Sequence, residues 1–146
     1  MRSEISIHIN APPDLVYSLV SDLDRWGQWL SHYRYVRVLD RNGDGVRAAM
    51  SAWRGPIPVF WHAVQKAEST TRTIRFRHVR GITTGMDVLW TIEPEKNGTR
   101  AKILHDLDLK WPVIGPWFAD HVISRGFIEP IAGRTLKSFK NIAELV

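Results

Sequence analysis

The chain of 146 residues contains no cysteine, which excludes disulfide bonds and thiolate chemistry and fits a cytoplasmic protein. It also lacks any apolar run near the roughly 18 residues that are needed to cross a bilayer. The N-terminus enters a strand pattern directly, without the basic segment and apolar stretch of a secretory signal. With 44% hydrophobic residues, we expect one domain that spans residues 1–146 and closes a single core.

Acidic residues are fewer than basic ones, and the formal net charge is +5. Such an excess can indicate binding to the phosphates of nucleic acid. In residues 72–80, where the basic residues are densest, arginines alternate with Ile74, Phe76 and His78. Alternation of this kind is typical of the solvated face of a strand, so we predict no nucleic-acid partner.

The sequence carries no phosphate-binding glycine loop, no Gly-x-Ser-x-Gly nucleophile motif and no dinucleotide fingerprint. Asp106 and Asp108 would suit a catalytic carboxylate pair, but two lysines share their outward positions, so an exposed charged strand explains them better. A metal site needs about three converging ligands. Among the residues on the inward face, only His78 and His105 could bind a metal. We therefore predict no metal site, and we also predict no cofactor.

What is present is a run of alternating strands framed by helices. Residues 4–9 alternate as a strand, Pro12-Pro13 marks a helix start, and a second short helix follows with Trp26 and Trp29 on one face. Six more strands are predicted over residues 33–41, 45–54, 58–68, 72–80, 85–94 and 99–110. The last thirty residues have helical spacing, and we expect Pro130 to kink that helix. This order predicts an α+β fold.

The connections of the predicted meander fall into two classes. The first, third and fifth are polar turns, as at Asn42-Gly43-Asp44-Gly45. The second, fourth and sixth are richer in glycine, proline and apolar residues, and they span residues 54–58, 81–85 and 111–116. Because an antiparallel meander alternates its turns between two ends, these three should lie together at one end. Apolar loops gathered in this way indicate a ligand entrance or a contact surface.

The inward face of the predicted strands is apolar and aromatic, with few polar groups. Period two assigns to this face Trp61, Ala63, Gln65, Phe76, His78, Met86, Trp90 and His105. Such a face forms either a filled core or the wall of a small-molecule cavity, in which sparse polar groups orient a ligand. Since one helix rarely covers six or seven curved strands completely, we expect a residual cavity.

This order of elements resembles the START and polyketide cyclase/dehydrase superfamily. The stretch Ile9-Asn10-Ala11-Pro12, followed by Val16, Asp22 and Trp26, is similar to that superfamily's opening motif. The resemblance implies a helix-grip fold, in which a curved antiparallel sheet of about seven strands surrounds a long C-terminal helix. Two short helices after the first strand would close one side of the cavity.

Within the superfamily, the chain is most similar to aromatic polyketide aromatase/cyclases. Trp26 and Tyr33 fall where those enzymes carry pocket aromatics. Gln65 and His78 stand where the cyclases carry pocket arginines, and Ala63 stands where they carry a serine. A neutral glutamine does not stabilise an enolate as a guanidinium does.

Two functions are left open. The first is binding of a hydrophobic, aromatic or polyketide-like molecule with cofactor-free cyclisation or dehydration, in which His105 transfers a proton and Tyr33 donates to a carbonyl. The predicted ligand-binding residues are Trp26, Trp61, Ala63, Gln65, Phe76, His78, Met86 and Trp90. The second is a non-catalytic lipid or quinone carrier, which would make transient contact with a membrane surface. The sequence leaves the oligomeric state open as well.

Overall fold

The computed structural model describes residues 2–107 and 125–146. The elements are β1 (Arg2–Ile9), α1 (Pro13–Ser21), a 3₁₀ turn (Leu23–Arg25), α2 (Trp26–Trp29), β2 (Tyr33–Asn42), β3 (Gly45–Arg54), β4 (Ile57–Glu68), β5 (Thr73–Gly81), β6 (Asp87–Glu95), β7 (Gly98–Asp106) and α3 (Glu129–Leu145). This order confirms the predicted α+β arrangement. The end of the strand predicted to residue 110, the connection at 111–116 and the predicted helix before residue 125 lie outside the described residues.

The strands form one antiparallel sheet in the order β1-β7-β6-β5-β4-β3-β2. The meander from β2 to β7 is therefore confirmed, and β1 adds to its far edge. The start of β6 differs from the prediction. Met86 is predicted to lie in the strand at residues 85–94, but β6 begins at Asp87. The Met86 amide instead donates to the Thr83 carbonyl, 3.0 Å away, which closes the β5–β6 turn.

Contacts from α3 to both edges of the sheet show that the sheet is curved. At one edge, Ser3 in β1 donates its hydroxyl to Glu129 at 3.0 Å. At the other, His32, directly before β2, is 2.9 Å from the Thr135 hydroxyl. Six strand spacings in a flat sheet would separate these edges by about 29 Å. The sheet therefore wraps around α3, which is the expected helix-grip arrangement.

The C-terminal helix begins differently from the prediction. Residues 125–128 form a π-helical turn, and the α-helix starts only at Glu129, so Pro130 lies in its first turn. Proline is well tolerated there because that amide has no partner within the helix. Pro130 therefore lies where the π-helical turn changes to the α-helix, and the kink expected there stays a prediction. No helix within residues 2–107 or 125–146 is long and apolar enough to span a membrane.

The inward faces predicted from period two are confirmed by burial. Ile74, Phe76 and His78 on β5 are buried, and so are the alternate residues of β6 and β7. Helix α1 covers the sheet with Val16 and Val20, which are fully buried. The core is thus formed between the concave face of the sheet, α1 and α3.

The β2–β3 turn allows a direct test of this packing. Gly45 has φ +126°, and an added Cβ would lie 2.2 Å from the Gln65 carbonyl oxygen on β4. We expect Gly45→Ala to lower the free energy of unfolding by about 3 kcal/mol, because both the backbone and β4 must shift. Gly43→Ala is the matched control, since no atom lies within 4 Å of its Cβ. Urea denaturation measures both, and equal effects would contradict the close approach of β4.

Candidate functional site

A cavity of about 630 Å³ lies between the concave face of the sheet and α3. This volume is within the range of pockets that bind drug-sized ligands. The lining is mostly aromatic and aliphatic, and its larger members include Trp26, Tyr33, Met50, Phe60, Trp61, Phe76, Met86, Val88, Trp90, Ile103, Phe127 and Ile131. The residual space expected from one helix under a wide curved sheet is therefore present.

Two of the apolar turns lie where the sequence predicted them. Ile57 and Pro58 after the β3–β4 turn, and Gly81, Ile82 and Thr83 in the β5–β6 turn, all contribute to the lining. The turns at one end of the sheet thus form one end of the cavity, which we call the mouth. The third predicted turn, at residues 111–116, lies outside the described part of the chain.

Trp26 is the centre of the aromatic wall. Its indole N–H donates to the Val20 carbonyl at 2.9 Å, which fixes the ring against the end of α1. Its ring centroid lies 5.5 Å from Phe76, 5.8 Å from Tyr33 and 6.2 Å from Trp90, in tilted or edge-on contacts. Such contacts between aromatic rings are favourable in themselves, so the wall is pre-formed.

Two of the predicted ligand-binding residues do not reach the cavity. Gln65 is buried on the expected face of β4, but its amide donates to the Ser21 carbonyl at 3.2 Å, at the end of α1. Ala63 is buried beside it, and neither residue belongs to the lining. Period two identified the correct face of the strand, but the Gln65 side chain bonds to the end of α1 and is not part of the cavity wall.

The two inward histidines both line the cavity and are both neutral near neutral pH. His78 Nδ1 is 2.7 Å from the Thr83 hydroxyl, and its ring stacks on Trp61 at 5.6 Å. Burial, with a smaller contribution from the nearby His105, lowers the pKa of His78 to about 3. Burial also lowers the pKa of His105 to about 4. Within residues 2–107 and 125–146, His105 Nδ1 has no hydrogen-bond partner.

A polar cluster behind Tyr33 was not predicted from the sequence. The Thr135 hydroxyl donates to the Ile131 carbonyl at 2.9 Å, so it accepts from His32 Nε2, which is also 2.9 Å away. Burial raises the pKa of Tyr33 far above its usual value, and the nearby Thr135 hydroxyl opposes this only in part. Tyr33 is therefore a neutral phenol held at the cavity wall. The only sequence signal for this cluster is a threonine within the apolar stripe of α3.

Thr135→Val removes the hydroxyl with little change of shape, so it tests this cluster. We expect the free energy of unfolding to fall by about 2 kcal/mol, because the buried His32 N–H loses its acceptor. Ser138→Ala on the exposed side of α3 is the control, since that hydroxyl donates only to the Arg134 carbonyl at 2.8 Å. Urea denaturation measures both variants. Equal stability of Thr135→Val and the wild type would show that the cluster does not stabilise the fold.

The described part of the cavity wall carries no charged side chain. The lining contains no aspartate, glutamate, lysine or arginine among the described residues, and its polar side chains are Tyr33, His78, Thr83, His105 and Thr135. In the same part of the chain, no group of three histidine, aspartate or glutamate side chains is placed to hold a metal ion. The arrangement can therefore donate and accept hydrogen bonds and accept a proton, inside an apolar aromatic chamber.

A sequence profile of the family described as polyketide cyclase / dehydrase and lipid transport matches residues 9–135. The chain belongs to this family. Family relatives include a Streptomyces cyaneus protein assigned as a polyketide cyclase, with 31% identity over 75% of this chain and 74% of the relative. The granaticin polyketide synthase bifunctional cyclase/dehydratase of Streptomyces violaceoruber is 30% identical over 70% of this chain, which corresponds to 32% of that protein.

Solved structures agree on the fold of this family member. The Zhui aromatase/cyclase from a Streptomyces species has a TM-score of 0.85, with 16% identity over 99% of this chain and 93% of that one. A START superfamily protein from Mycobacterium smegmatis has a TM-score of 0.68, with 20% identity over 98% and 94%. At such low identity these likenesses show the fold alone, and they confirm the helix-grip architecture expected from the sequence. The expected family is confirmed by the profile match over residues 9–135.

Proposed function

We propose that the chain is a single ligand-binding domain whose cavity binds a neutral, hydrophobic aromatic or polyketide-like carbonyl compound and catalyses its cofactor-free cyclisation and dehydration. The observation that carries this proposal is that the described lining is aromatic and uncharged and contains two neutral histidines. A carboxylate or phosphate in this chamber would be desolvated without a counter-charge, which is costly. Carbonyl oxygens need only the hydrogen bonds that Tyr33, Thr83 and the histidines offer. Two relatives of this chain that are named as a polyketide cyclase and as a cyclase/dehydratase support the same chemistry.

In the proposed reaction, His105 moves the protons. Its unprotonated ring nitrogen takes a proton from a carbon that lies between two carbonyls. The resulting enolate carbon then attacks a further carbonyl carbon of the same chain, and this forms the new ring bond. The alkoxide then takes that proton back from His105. For dehydration, His105 accepts a neighbouring C–H proton and returns it to the leaving hydroxyl, so one water is released and His105 is unchanged.

A base whose pKa is lowered to about 4 needs help from the site. Part of the help comes from confinement, because a chain folded between Trp26, Trp61 and Trp90 brings its reacting carbons together before the reaction. The rest comes from charge. The enolate that forms beside His105 favours the imidazolium, so the pKa of His105 rises as the proton is transferred. Tyr33, a neutral phenol in the lining, would donate a hydrogen bond to a carbonyl oxygen of the ligand.

A titration with a matched pair of ligands tests the proposed preference. Acetylnaphthalene and naphthoate share one ring system, but only naphthoate is charged. We expect the neutral ketone to quench the fluorescence of the wall tryptophans with an affinity at least about tenfold higher than that of the carboxylate. Equal affinities, or tighter binding of naphthoate, would contradict a cavity suited to neutral carbonyl compounds.

One observation favours a second function, which is carriage of a neutral lipid or quinone. The lowered pKa of His105 makes it a weak base, and the described lining has no cation to stabilise an enolate. A carrier would bind the neutral ketone and leave a triketone unchanged. Binding without turnover would therefore favour carriage, whereas formation of a phenolic product would favour the cyclase.

A further inference from the structure

Five large apolar side chains are exposed around the mouth of the cavity. They are Trp53, Ile57, Phe60, Val79 and Ile82, with exposed fractions of 39, 52, 50, 40 and 57%. We call these residues the mouth patch. Other exposed large apolar residues of the described chain are Leu39 and the terminal Leu145 and Val146. Apolar exposure is thus concentrated on the β3–β4 and β5–β6 hairpins, and such concentration marks an interaction surface.

The mouth patch is continuous across two strands and with the cavity. Trp61 pairs with Gly81 in the β4–β5 register, so Phe60 and Ile82, each one residue nearer the mouth, are neighbours. Ile57, Phe60 and Ile82 also belong to the cavity lining. An apolar surface therefore leads from outside the protein into the cavity.

The surroundings of the mouth patch are positively charged. Residues 45–67 and 69–86, which contain both hairpins, include no aspartate or glutamate. The Arg34 guanidinium lies 5.2 Å from the ring centroids of both Trp53 and Phe60. Arg54 donates to the Gly126 carbonyl. Within the described ranges, Arg34, Arg54 and Arg80 have no carboxylate partner. Elsewhere, Arg41, Arg47, Arg72, Arg77 and Arg100 are each paired with an acidic residue.

We infer that the mouth patch docks on an anionic lipid surface. Ile57 and Ile82 lie at or beside two turns and are more than half exposed, so they can enter the acyl boundary, and Trp53 is suited to the interfacial layer. Arg34, Arg54 and Arg80 then lie near the lipid phosphates, which supply the negative charge that this end of the protein lacks. Docking in this way places the mouth of the cavity against the bilayer, where hydrophobic ligands dissolve.

Flotation with phosphatidylcholine vesicles, with and without phosphatidylglycerol, tests this inference without any cavity ligand. The outcome is therefore independent of the proposed chemistry. The protein is expected to float with the phosphatidylglycerol vesicles and to be released at high salt, because salt screens exposed charges. Binding to pure phosphatidylcholine should be weak.

Variants at exposed positions assign the binding to the mouth patch. Ile57→Ser combined with Ile82→Ser is expected to lower partitioning by about tenfold, and so is Arg54→Gln combined with Arg80→Gln. The matched controls are Leu39→Ser, which removes an exposed apolar side chain from the middle of β2, and Arg75→Gln, which removes an exposed arginine from the middle of β5. Both controls should bind as the wild type does.

Three results would overturn the inference. The first is absence of the protein from the floated vesicles of either composition. The second is unchanged partitioning of both double variants. The third is a stable dimer in sedimentation that Ile57→Ser with Ile82→Ser converts to monomers, because the mouth patch would then be covered by a second copy of the chain.

Discussion

His105→Leu is expected to lower the turnover of a synthetic phenyl triketone by about 100-fold or more, since proton transfer by a positioned group contributes at least that much. The variant should remain folded, because leucine fills a similar volume and His105 Nδ1 has no partner within the described residues. Absorbance of the phenolic product measures the turnover, and urea denaturation measures the stability. Binding of acetylnaphthalene should weaken by a smaller factor, since only one polar contact is lost.

His62→Leu is the control for this prediction. His62 lies on β4 beside Trp61, on the opposite face of the strand, and does not belong to the lining. Its replacement should leave the turnover unchanged. If His105→Leu turned over the triketone as fast as the wild type, His105 would have no catalytic role. Confinement of the substrate would then be the remaining explanation for the rate.

The same variant changes the response to acid. The pKa values of His78 and His105 are lowered in the folded protein to about 3 and about 4, so the unfolded chain binds more protons once the pH falls below about 6.5. The free energy of unfolding therefore decreases as the pH falls from about 6.5 through about 4. His105→Leu should lose less stability over this window. Unfolding curves at several pH values measure the difference.

Ala132→Phe is expected to weaken binding of acetylnaphthalene by about 100-fold, or about 3 kcal/mol. Ala132 lies on α3, is buried and lines the cavity, so a phenyl group at this position occupies the space of a ligand ring. The site has room for the added ring, and the fold should survive. Titration followed by tryptophan fluorescence measures the affinity.

The neighbouring position on α3 provides the control for Ala132→Phe. Gly133 is exposed, and no atom lies within 4 Å of a Cβ added there. Gly133→Phe therefore adds the same ring on the solvent side of the helix and should leave the affinity unchanged. Equal affinity of Ala132→Phe and the wild type would show that the ligand binds elsewhere.

Much of this fold follows from local patterns. Period two and the turn dipeptides located the strands and their inward faces, because an antiparallel meander pairs residues that are close in sequence. Trp61, Phe76, His78, Met86, Trp90 and His105 were assigned to the cavity by this reasoning, and Trp26 and Tyr33 by the family resemblance. All eight belong to the lining.

What the sequence did not reveal depends on long-range packing. Gln65 has the correct parity, but its amide is bonded to Ser21, and only the placement of α1 on the sheet decides that. The contact between His32 and Thr135 joins residues that are far apart in sequence. His32 lies directly before β2 and Thr135 lies on α3, so no helix or strand periodicity relates one to the other. Pro130 is predicted to kink the C-terminal helix, and its position in the first turn of the α-helix depends on the π-helical turn before it.

Identification of the small molecule that remains bound after gentle purification tests the central claim most directly. Native mass spectrometry of the wild type should show about one neutral aromatic or polycarbonyl compound for each chain, as the size of the cavity allows. The same compound should be missing from Ala132→Phe purified in parallel. A bound carboxylate or phosphate, or equal occupancy in the two proteins, would contradict the account.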